Sequence, residues 1–149
     1  MNVADVMIRN VTYVTDDTSL ADVARTMRAD HVGSVVVIRE GEPGNRPLGV
    51  LTDRDIVIQV IAEGTPLETL TAGDAMSREL VTVRDTASLF DAVAQMGQQG
   101  VRRLPVTDAG GMLIGVLSMD DVLAQIGALL DNLADVVRFQ QQIEQEIHS

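Results

Sequence analysis

This 149-residue chain contains no cysteine and no tryptophan, and it has only one tyrosine and two phenylalanines. Without cysteine it can form no disulfide, and it has no thiol nucleophile and no cysteine-based metal site. Because 46% of the residues are hydrophobic and so few are aromatic, the core must be built from aliphatic side chains. The length is that of one compact domain, or of two small halves that share a core.

Positive charge is also scarce. The chain has 11 Lys and Arg against 22 Asp and Glu, which gives a formal net charge of −11. Nucleic acids and anionic membrane surfaces bind clustered basic residues, so we expect neither as a partner. No apolar run approaches the ~18 residues of a membrane span, and the N-terminus lacks the pattern of a signal peptide. We therefore expect a soluble, cytoplasmic protein.

What the chain does contain is an internal repeat. Asp5-Val6-Met7 returns as Asp74-Ala75-Met76, 69 positions later, and the offset shortens to 66 between Gly49 and Gly115. The three-residue slip falls in residues 39–47, which are rich in Gly, Pro and Asn, so we expect a loop there. Two copies of one supersecondary unit predict a pseudo-symmetric domain.

Each copy reads as a short helical turn, a strand, a helix, two strands and a closing helix. Helical apolar spacing follows capping residues at 17–19 and at 86–88. Short aliphatic runs predict buried strands at 35–38, 48–51, 104–106 and 113–117, with Pro105 limiting its strand to an edge or a bulge. We divide the chain into a first motif (1–62), a linker (63–73), a second motif (74–124) and a C-terminal helical extension (125–149).

The closing helix of the second copy overruns the repeat. From Val122 to Ile147, residues at alternating spacings of four and three would lie along one side of a helix. All of them are apolar except Gln140, which is the pattern of a coiled-coil seam. A helix over residues 120–147 would be about 42 Å long. We expect residues 122–133 to pack on their own domain and the second half to pair with a partner helix. A seam of this kind indicates a homo-oligomer.

The same strand-to-helix junction occurs twice. An apolar strand runs into a helix that starts at Thr52 in one copy and at Ser118 in the other, and Asp55 or Asp121 follows three positions later. Such residues can be plain helix caps. A helix N-terminus also offers free N–H groups to phosphate, and a carboxylate one turn into the helix could accept both hydroxyls of a ribose.

The two junctions differ in their cations. Arg54 lies in the first junction, whereas the second has no basic residue of its own. Arg102 and Arg103 could supply that charge, or they could be solvated or paired with aspartates. Their counterparts in the first copy are Gly33 and Ser34, small residues that let a ligand approach the backbone.

Together, the doubled motif and the Arg-Arg-Leu-Pro-Val stretch at 102–106 resemble a tandem pair of cystathionine-β-synthase (CBS) domains, as in stand-alone bacterial CBS-pair proteins. The resemblance covers residues 3 to about 123. It implies an α/β (α+β) fold with two β-α-β-β-α motifs packed sheet to sheet around a pseudo-two-fold axis, here with a long C-terminal helix. Such pairs have two clefts, commonly form homodimers, and often bind AMP, ADP, ATP, S-adenosylmethionine or NAD-type ligands.

The resemblance also implies which residues contact a ligand. At each junction the aspartate would hold ribose and the hydroxyl would lie near phosphate, while adenine would lie against strand residues. The implied set is Val14, Gly33, Ser34, Val35, Thr52, Arg54 and Asp55 in the first cleft, and Thr82, Val83, Arg102, Arg103, Leu104, Pro105, Ser118 and Asp121 in the second. Tyr13 replaces a threonine of the family, and it either fills the first cleft or stacks on a base.

These features predict a regulatory module that senses an adenosine-containing ligand and passes the signal to a partner protein. The alternative is a ligand-free dimeric adaptor. An enzyme is disfavoured because no nucleophile has a nearby base, His31 ends a helix and His148 lies in the tail. We expect no metal and no required cofactor.

Overall fold

The computed structural model describes residues 1–41, 44–77 and 79–148, and it contains two three-stranded sheets, one from each copy. The first copy forms α1 (Val3–Val6), β1 (Tyr13–Thr15), α2 (Leu20–Asp30), β2 (Ser34–Gly41), β3 (Gly44–Thr52) and α3 (Asp53–Asp55), which continues as a π-helix over Ile56–Ile61. After a 3₁₀ turn (Leu67–Thr69), the second forms α4 (Ala72–Ala75), β4 (Val83–Arg84), α5 (Leu89–Gln99), β5 (Arg103–Thr107), β6 (Leu113–Ser118) and α6 (Met119–His148). The repeated element order is as the sequence predicts.

The two sheets have the same topology. The middle strand, β2 or β5, is parallel to the first strand and antiparallel to the third. A parallel neighbour requires a crossover, which α2 and α5 provide. Each crossover helix begins at a serine: Ser19 Oγ accepts the Asp22 N–H at 3.2 Å, and Ser88 Oγ accepts the Asp91 N–H at 3.1 Å. The capping residues seen in the sequence therefore start both helices.

Two strand predictions are wrong in detail. The slip in residues 39–47 is not a loop, because β2 runs to Gly41, β3 starts at Gly44 and their backbones pair to form a longer hairpin; Glu42 and Pro43 lie outside the described residues. Of the two positions predicted for Pro105, the edge is wrong, because β5 is the middle strand, whereas the register of the β5–β6 pairing does shift between Val106 and Thr107, directly after it. The pairing between β4 and β5 begins only at Val106, one residue after Pro105, so the proline does not have to donate a hydrogen bond to β4.

The short leading helices exchange places between the two halves. Val3 of α1 and Met7 after it are buried in the core of the second copy, whereas Ala72 and Ala75 of α4 are buried in the core of the first. Each hydrophobic core is therefore completed by a segment from the other half of the sequence. The exchange ties the two motifs into one unit.

The exchanged segments also cover the free edges of the sheets. Ile8 exchanges two backbone hydrogen bonds of 2.9 Å with Val116 of β6, and the Ser77 N–H donates to the carbonyl of Val50 in β3 at 3.0 Å. Unpaired edge strands tend to pair with other chains. Here β3 and β6 are each capped at one point by the crossing chain.

Helix α6 leaves the folded body almost at once. Of its residues only Val122 is buried, and from Leu123 to His148 all are exposed except the half-buried Ala134. The expectation that residues 122–133 pack on their own domain is therefore wrong, because neither core reaches beyond the first turn of this helix. The predicted helix itself is present, from Met119 to His148. In the part of the chain that the structure describes, no helix is long and apolar enough to cross a membrane.

Candidate functional site

A cleft of about 330 Å³ lies between the two motifs. Its walls are mainly apolar, and they come from the middle and third strands of both sheets and from the chain that leads into β1. Polar groups gather at one end, where β6 passes into α6. The lining residues are Ile8, Asn10, Val11, Thr12, Val32, Ser34, Val35, Val36, Val50, Arg103, Pro105, Val116, Ser118, Asp120 and Asp121.

The second strand-to-helix junction forms the polar end of this cleft. The Ser118 hydroxyl donates to Asp121 Oδ2 at 2.5 Å, and the Asp121 N–H donates to Ser118 Oγ at 3.1 Å. These bonds hold the carboxylate at the start of α6. Asp121 Oδ1 has no hydrogen-bond partner among residues 1–41, 44–77 and 79–148, so it can accept hydroxyl groups from a ligand.

Arg103 supplies the positive charge of the cleft. It lies at the start of β5 and makes no ion pair with any residue that the structure describes, whereas its neighbour Arg102 lies 3.8 Å from Asp120. Both arginines also line an adjoining hollow of about 260 Å³ with Ser118, Met119 and Asp120. A guanidinium beside a helix N-terminus can bind a phosphate group, although the two aspartates of this corner oppose an anion.

The first junction is built differently. Asp55 Oδ2 accepts the Thr52 N–H at 3.0 Å, Thr52 Oγ1 accepts the Asp55 N–H at 3.1 Å, and Asp55 Oδ1 lies 3.5 Å from the Gln59 amide nitrogen. Both carboxylate oxygens are thus engaged within the helix. Thr52, Arg54 and Asp55 are not among the residues that line the cleft. This corner has the geometry of a capping box.

A second carboxylate crowds the first junction. The Asp53 N–H donates to the Gly33 carbonyl at 2.9 Å, and the Asp53 carboxylate lies 3.1 Å from the point where a Cβ on Gly33 would be. At the second junction the corresponding donor is Met119, whose N–H bonds to the Arg102 carbonyl at 2.8 Å. At this position the first corner therefore has a carboxylate where the second has an uncharged side chain, although each corner carries two aspartates in all.

The predicted site residues separate into three groups. Ser34, Val35, Arg103, Pro105, Ser118 and Asp121 lie together in the cleft, and Arg102 lines the adjoining hollow. Val14, Val83 and Leu104 are buried in the two cores, as is the side chain of Val35, so only the backbone atoms of these four could face a ligand. The remainder, Gly33, Thr52, Arg54, Asp55 and Thr82, lie outside the cleft lining, and the Thr82 carbonyl accepts the Gln95 amide at 3.1 Å.

The structure thus gathers residues that the sequence assigned to different clefts. Ser34 and Val35 of the first motif face the same space as Arg103 and Asp121 of the second. Tyr13 does not line this cleft; it borders a separate hollow of about 170 Å³ with Arg9, Asn10, Val11, Asn45, Leu113 and Ile114. The tyrosine ring therefore does not fill the space beside Asp121.

Sequence reasoning missed the segment from Ile8 to Thr12. It has no helical or strand periodicity, and it enters the cleft only because α1 crosses to the second core and the chain must return to β1. Asp120 also lines the cleft, and the sequence does not assign it to the site, since its side-chain direction depends on the start of α6. Among the described residues no group of three or more His, Asp or Glu side chains could hold a metal ion.

Comparison with known proteins agrees with this architecture. The family model for the CBS domain matches residues 3–62 and 72–128. The CBS domain-containing protein YhcV of Bacillus subtilis is 33% identical over 121 residues, which are 81% of this chain and 82% of that protein. An uncharacterized protein of Methanopyrus kandleri is 35% identical over 123 residues, or 83% of this chain, and the match spans 61% of its length.

Solved structures show the same fold. Hypoxic Response Protein I, described with two coordinated zinc ions, superposes with a TM-score of 0.74 at 31% identity, over 83% of this chain and 98% of that one. CBSX2 in complex with AMP superposes with a TM-score of 0.72 at 29% identity, over 86% and 97%. Two family matches and two equivalent sheets lead to one conclusion: this chain belongs to the CBS domain family and is a tandem CBS pair.

Proposed function

We propose that this protein is a non-catalytic regulatory module that binds one adenosine-containing ligand in the cleft beside Asp121. One observation carries the proposal: the carboxylate of Asp121, the hydroxyl of Ser118 and the guanidinium of Arg103 meet at one end of an apolar cleft. Apolar walls with a few convergent polar groups are typical of small-molecule sites. The AMP complex of the structural relative CBSX2 supports an adenosine nucleotide as the ligand class.

Each part of such a ligand has a matching surface. Adenine would lie between Val36 and Pro105 and against the backbone of Val35, whose side chain is buried in the first core. Ribose hydroxyls would donate to the free Oδ1 of Asp121, and a phosphate would lie near Arg103 and the Ser118 hydroxyl. AMP, ADP, ATP and NAD-type ligands share all three parts, whereas S-adenosylmethionine has no phosphate and would leave Arg103 unused.

The signal would travel by a shift in population. The cleft takes residues from both motifs, so a bound ligand favours one relative orientation of the two halves. Asp121 lies in the first turn of α6, which continues unbroken out of the body to His148. A change at the cleft would therefore reorient a helix that a partner protein can bind. The coupling is limited by the ligand's differential affinity for the two states, commonly about 1–3 kcal/mol.

Homodimerisation and a cytoplasmic location are further parts of the proposal. The exposed apolar side of α6 supports self-association, as described below. The cytoplasmic location remains a prediction of the sequence.

A thermal-shift screen tests ligand binding. AMP, ADP, ATP, S-adenosylmethionine and NAD are added separately to the purified protein, and binding at 100 times Kd adds about 2.7 kcal/mol of stability, which raises Tm visibly. We expect the phosphorylated ligands to stabilise the protein more than S-adenosylmethionine does. No shift with any ligand would reject the sensor and favour the ligand-free dimeric adaptor, which the exposed side of α6 also supports.

A further inference from the structure

The outer part of α6 carries an apolar stripe with no partner among the described residues. We call Ile126, Leu129, Leu133, Val136, Gln140, Ile143 and Ile147 the tail stripe. The exposed fraction of its apolar members ranges from 38% at Ile143 to 70% at Ile147. Contiguous apolar surface of this kind on a folded protein marks an interaction site.

We propose that a second copy of this chain covers the tail stripe, with the two α6 helices parallel and in register. The inference rests on the homodimer proposed above. The members of the stripe recur at alternating spacings of three and four, the 3.5-residue period of a left-handed coiled coil. Helix α6 has 30 residues, about 45 Å of length, and nearly all of it projects from the body. Such a helix can pair over several heptads without disturbing either sheet.

Gln140 identifies the partner as the same residue of a second copy. In a parallel, in-register pair each stripe residue faces its own copy across the two-fold axis. A glutamine amide both donates and accepts, so two copies of Gln140 satisfy each other. The Gln140 amide nitrogen donates to Glu144 Oε1 of its own helix at 3.4 Å. An apolar helix from another protein would therefore bury the amide oxygen without a donor, which is costly.

The same residue selects the parallel arrangement over the antiparallel one. The antiparallel register with full overlap brings Val122 opposite Ile147, and it places Gln140 opposite Leu129. Two glutamines would then face leucines, and neither amide oxygen would have a donor from the partner helix. In the parallel register the only polar residues of the stripe, the two copies of Gln140, face each other and can form hydrogen bonds with each other.

Charge does not oppose self-pairing, although α6 is acidic. In a parallel pair the positions that flank the stripe meet as Gln125 with Leu130, Asn132 with Val137, and Phe139 with Glu144, so no acid faces an acid. Arg138 pairs with Asp135 of its own helix at 2.9 Å, away from the stripe. Asp131 and Asp135 therefore remain in solvent on the outside of the pair, and Glu144 and Glu146 lie at its edges.

Single cysteines test this arrangement directly, because the chain has none of its own. In the full chain, Ile143→Cys places two thiols next to each other only if the helices are parallel and in register. In the antiparallel register they would be about 25 Å apart along the axis. Gln145→Cys is the matched control, since this position points away from the stripe. The variants are incubated in a glutathione redox buffer and analysed without reductant, and light scattering gives the mass of the unmodified chain.

We expect Ile143→Cys to form a disulfide-linked dimer at least about tenfold faster than Gln145→Cys, because pairing raises the effective concentration of the thiols. Ile147→Cys should behave like Ile143→Cys. A dimeric mass with no cross-link at either stripe position would overturn the parallel pairing while leaving the homodimer intact. A monomeric mass would overturn both proposals and assign the stripe to a different protein. Ligand binding at the cleft is measured separately and does not depend on either result.

Discussion

The carbonyl oxygen of Ile8 lies 2.9 Å from the point where a Cβ on Gly115 would be, and the Met7 sulfur lies 2.8 Å from it. Its counterpart Gly49 has the Ser77 carbonyl oxygen at 2.5 Å. At both positions the exchanged segment crosses directly over the third strand of a sheet. Glycine is needed there because no side chain fits between the two backbones.

Gly115→Ala should therefore destabilise the protein by about 1–3 kcal/mol, since the clash is with backbone that cannot move aside cheaply. Urea unfolding measures the change. Gly127→Ala is the control, because a Cβ there has nothing within 4 Å and alanine favours the helix. Equal stability of the Gly115→Ala variant and the parent would contradict the tight crossing.

His31 ends α2 in a left-handed conformation, with φ of 55°, while Gly100 ends α5 with φ of 65°. For residues other than glycine, the left-handed conformation costs about 1–2 kcal/mol. We expect His31→Gly to raise the free energy of unfolding by about 1 kcal/mol. Part of this gain is offset because glycine increases the conformational entropy of the unfolded chain. Gly100→His is the reciprocal variant and should lower it. Thermal or urea unfolding that shows the same sign for both would refute this account.

Asp121→Ala should weaken adenosine-nucleotide binding by about 1.5–3 kcal/mol, or about 10–150-fold in Kd, because ribose hydroxyls lose a charged acceptor. Isothermal titration calorimetry gives the affinity. Asp131→Ala removes the same charge from an exposed position farther along α6 and should leave binding unchanged. Equal affinity of the Asp121→Ala variant and the parent would remove the ribose role of this carboxylate.

Arg103→Ala should separate phosphate binding from nucleoside binding. We expect its affinity for AMP to fall about tenfold while its affinity for adenosine changes little, because only the phosphate pairs with the guanidinium. Arg138→Ala, at an exposed position of α6, is the control. A parallel loss for AMP and adenosine would show that Arg103 shapes the cleft without contacting phosphate.

A chain that ends at Asp135 should be monomeric at concentrations at which the full chain is dimeric. The deletion removes half of the tail stripe and leaves both cores intact, since neither includes a residue beyond Val122. Light scattering measures the mass, and circular dichroism checks that the sheets persist. An unchanged dimer would place the interface on the body of the protein.

The sequence by itself determined the elements with local causes. The repeat predicts two equal motifs, Ser19 and Ser88 start the crossover helices, and the seam from Val122 to Ile147 predicts a continuous helix. Each of these depends on residues within a few turns of each other, so periodicity and capping are enough. The resemblance to CBS domains also gave the cluster of Ser118, Asp121 and Arg103, because both junctions carry the family's motif.

Only the tertiary structure decided how the halves are joined and which predicted site residues share a cleft. The exchange of α1 and α4 depends on contacts between segments far apart in sequence, and these contacts leave no local periodicity. That exchange carries Ile8–Thr12 into the cleft. It also requires glycine at positions 49 and 115, where a side chain would clash with the crossing backbone. Both junctions carry a hydroxyl and an aspartate at the same spacing, yet both oxygens of the Asp55 carboxylate are bonded within its own helix, while one oxygen of Asp121 has no hydrogen-bond partner in the described part of the chain. Hydrogen-bond geometry, which residue order alone does not specify, makes that difference.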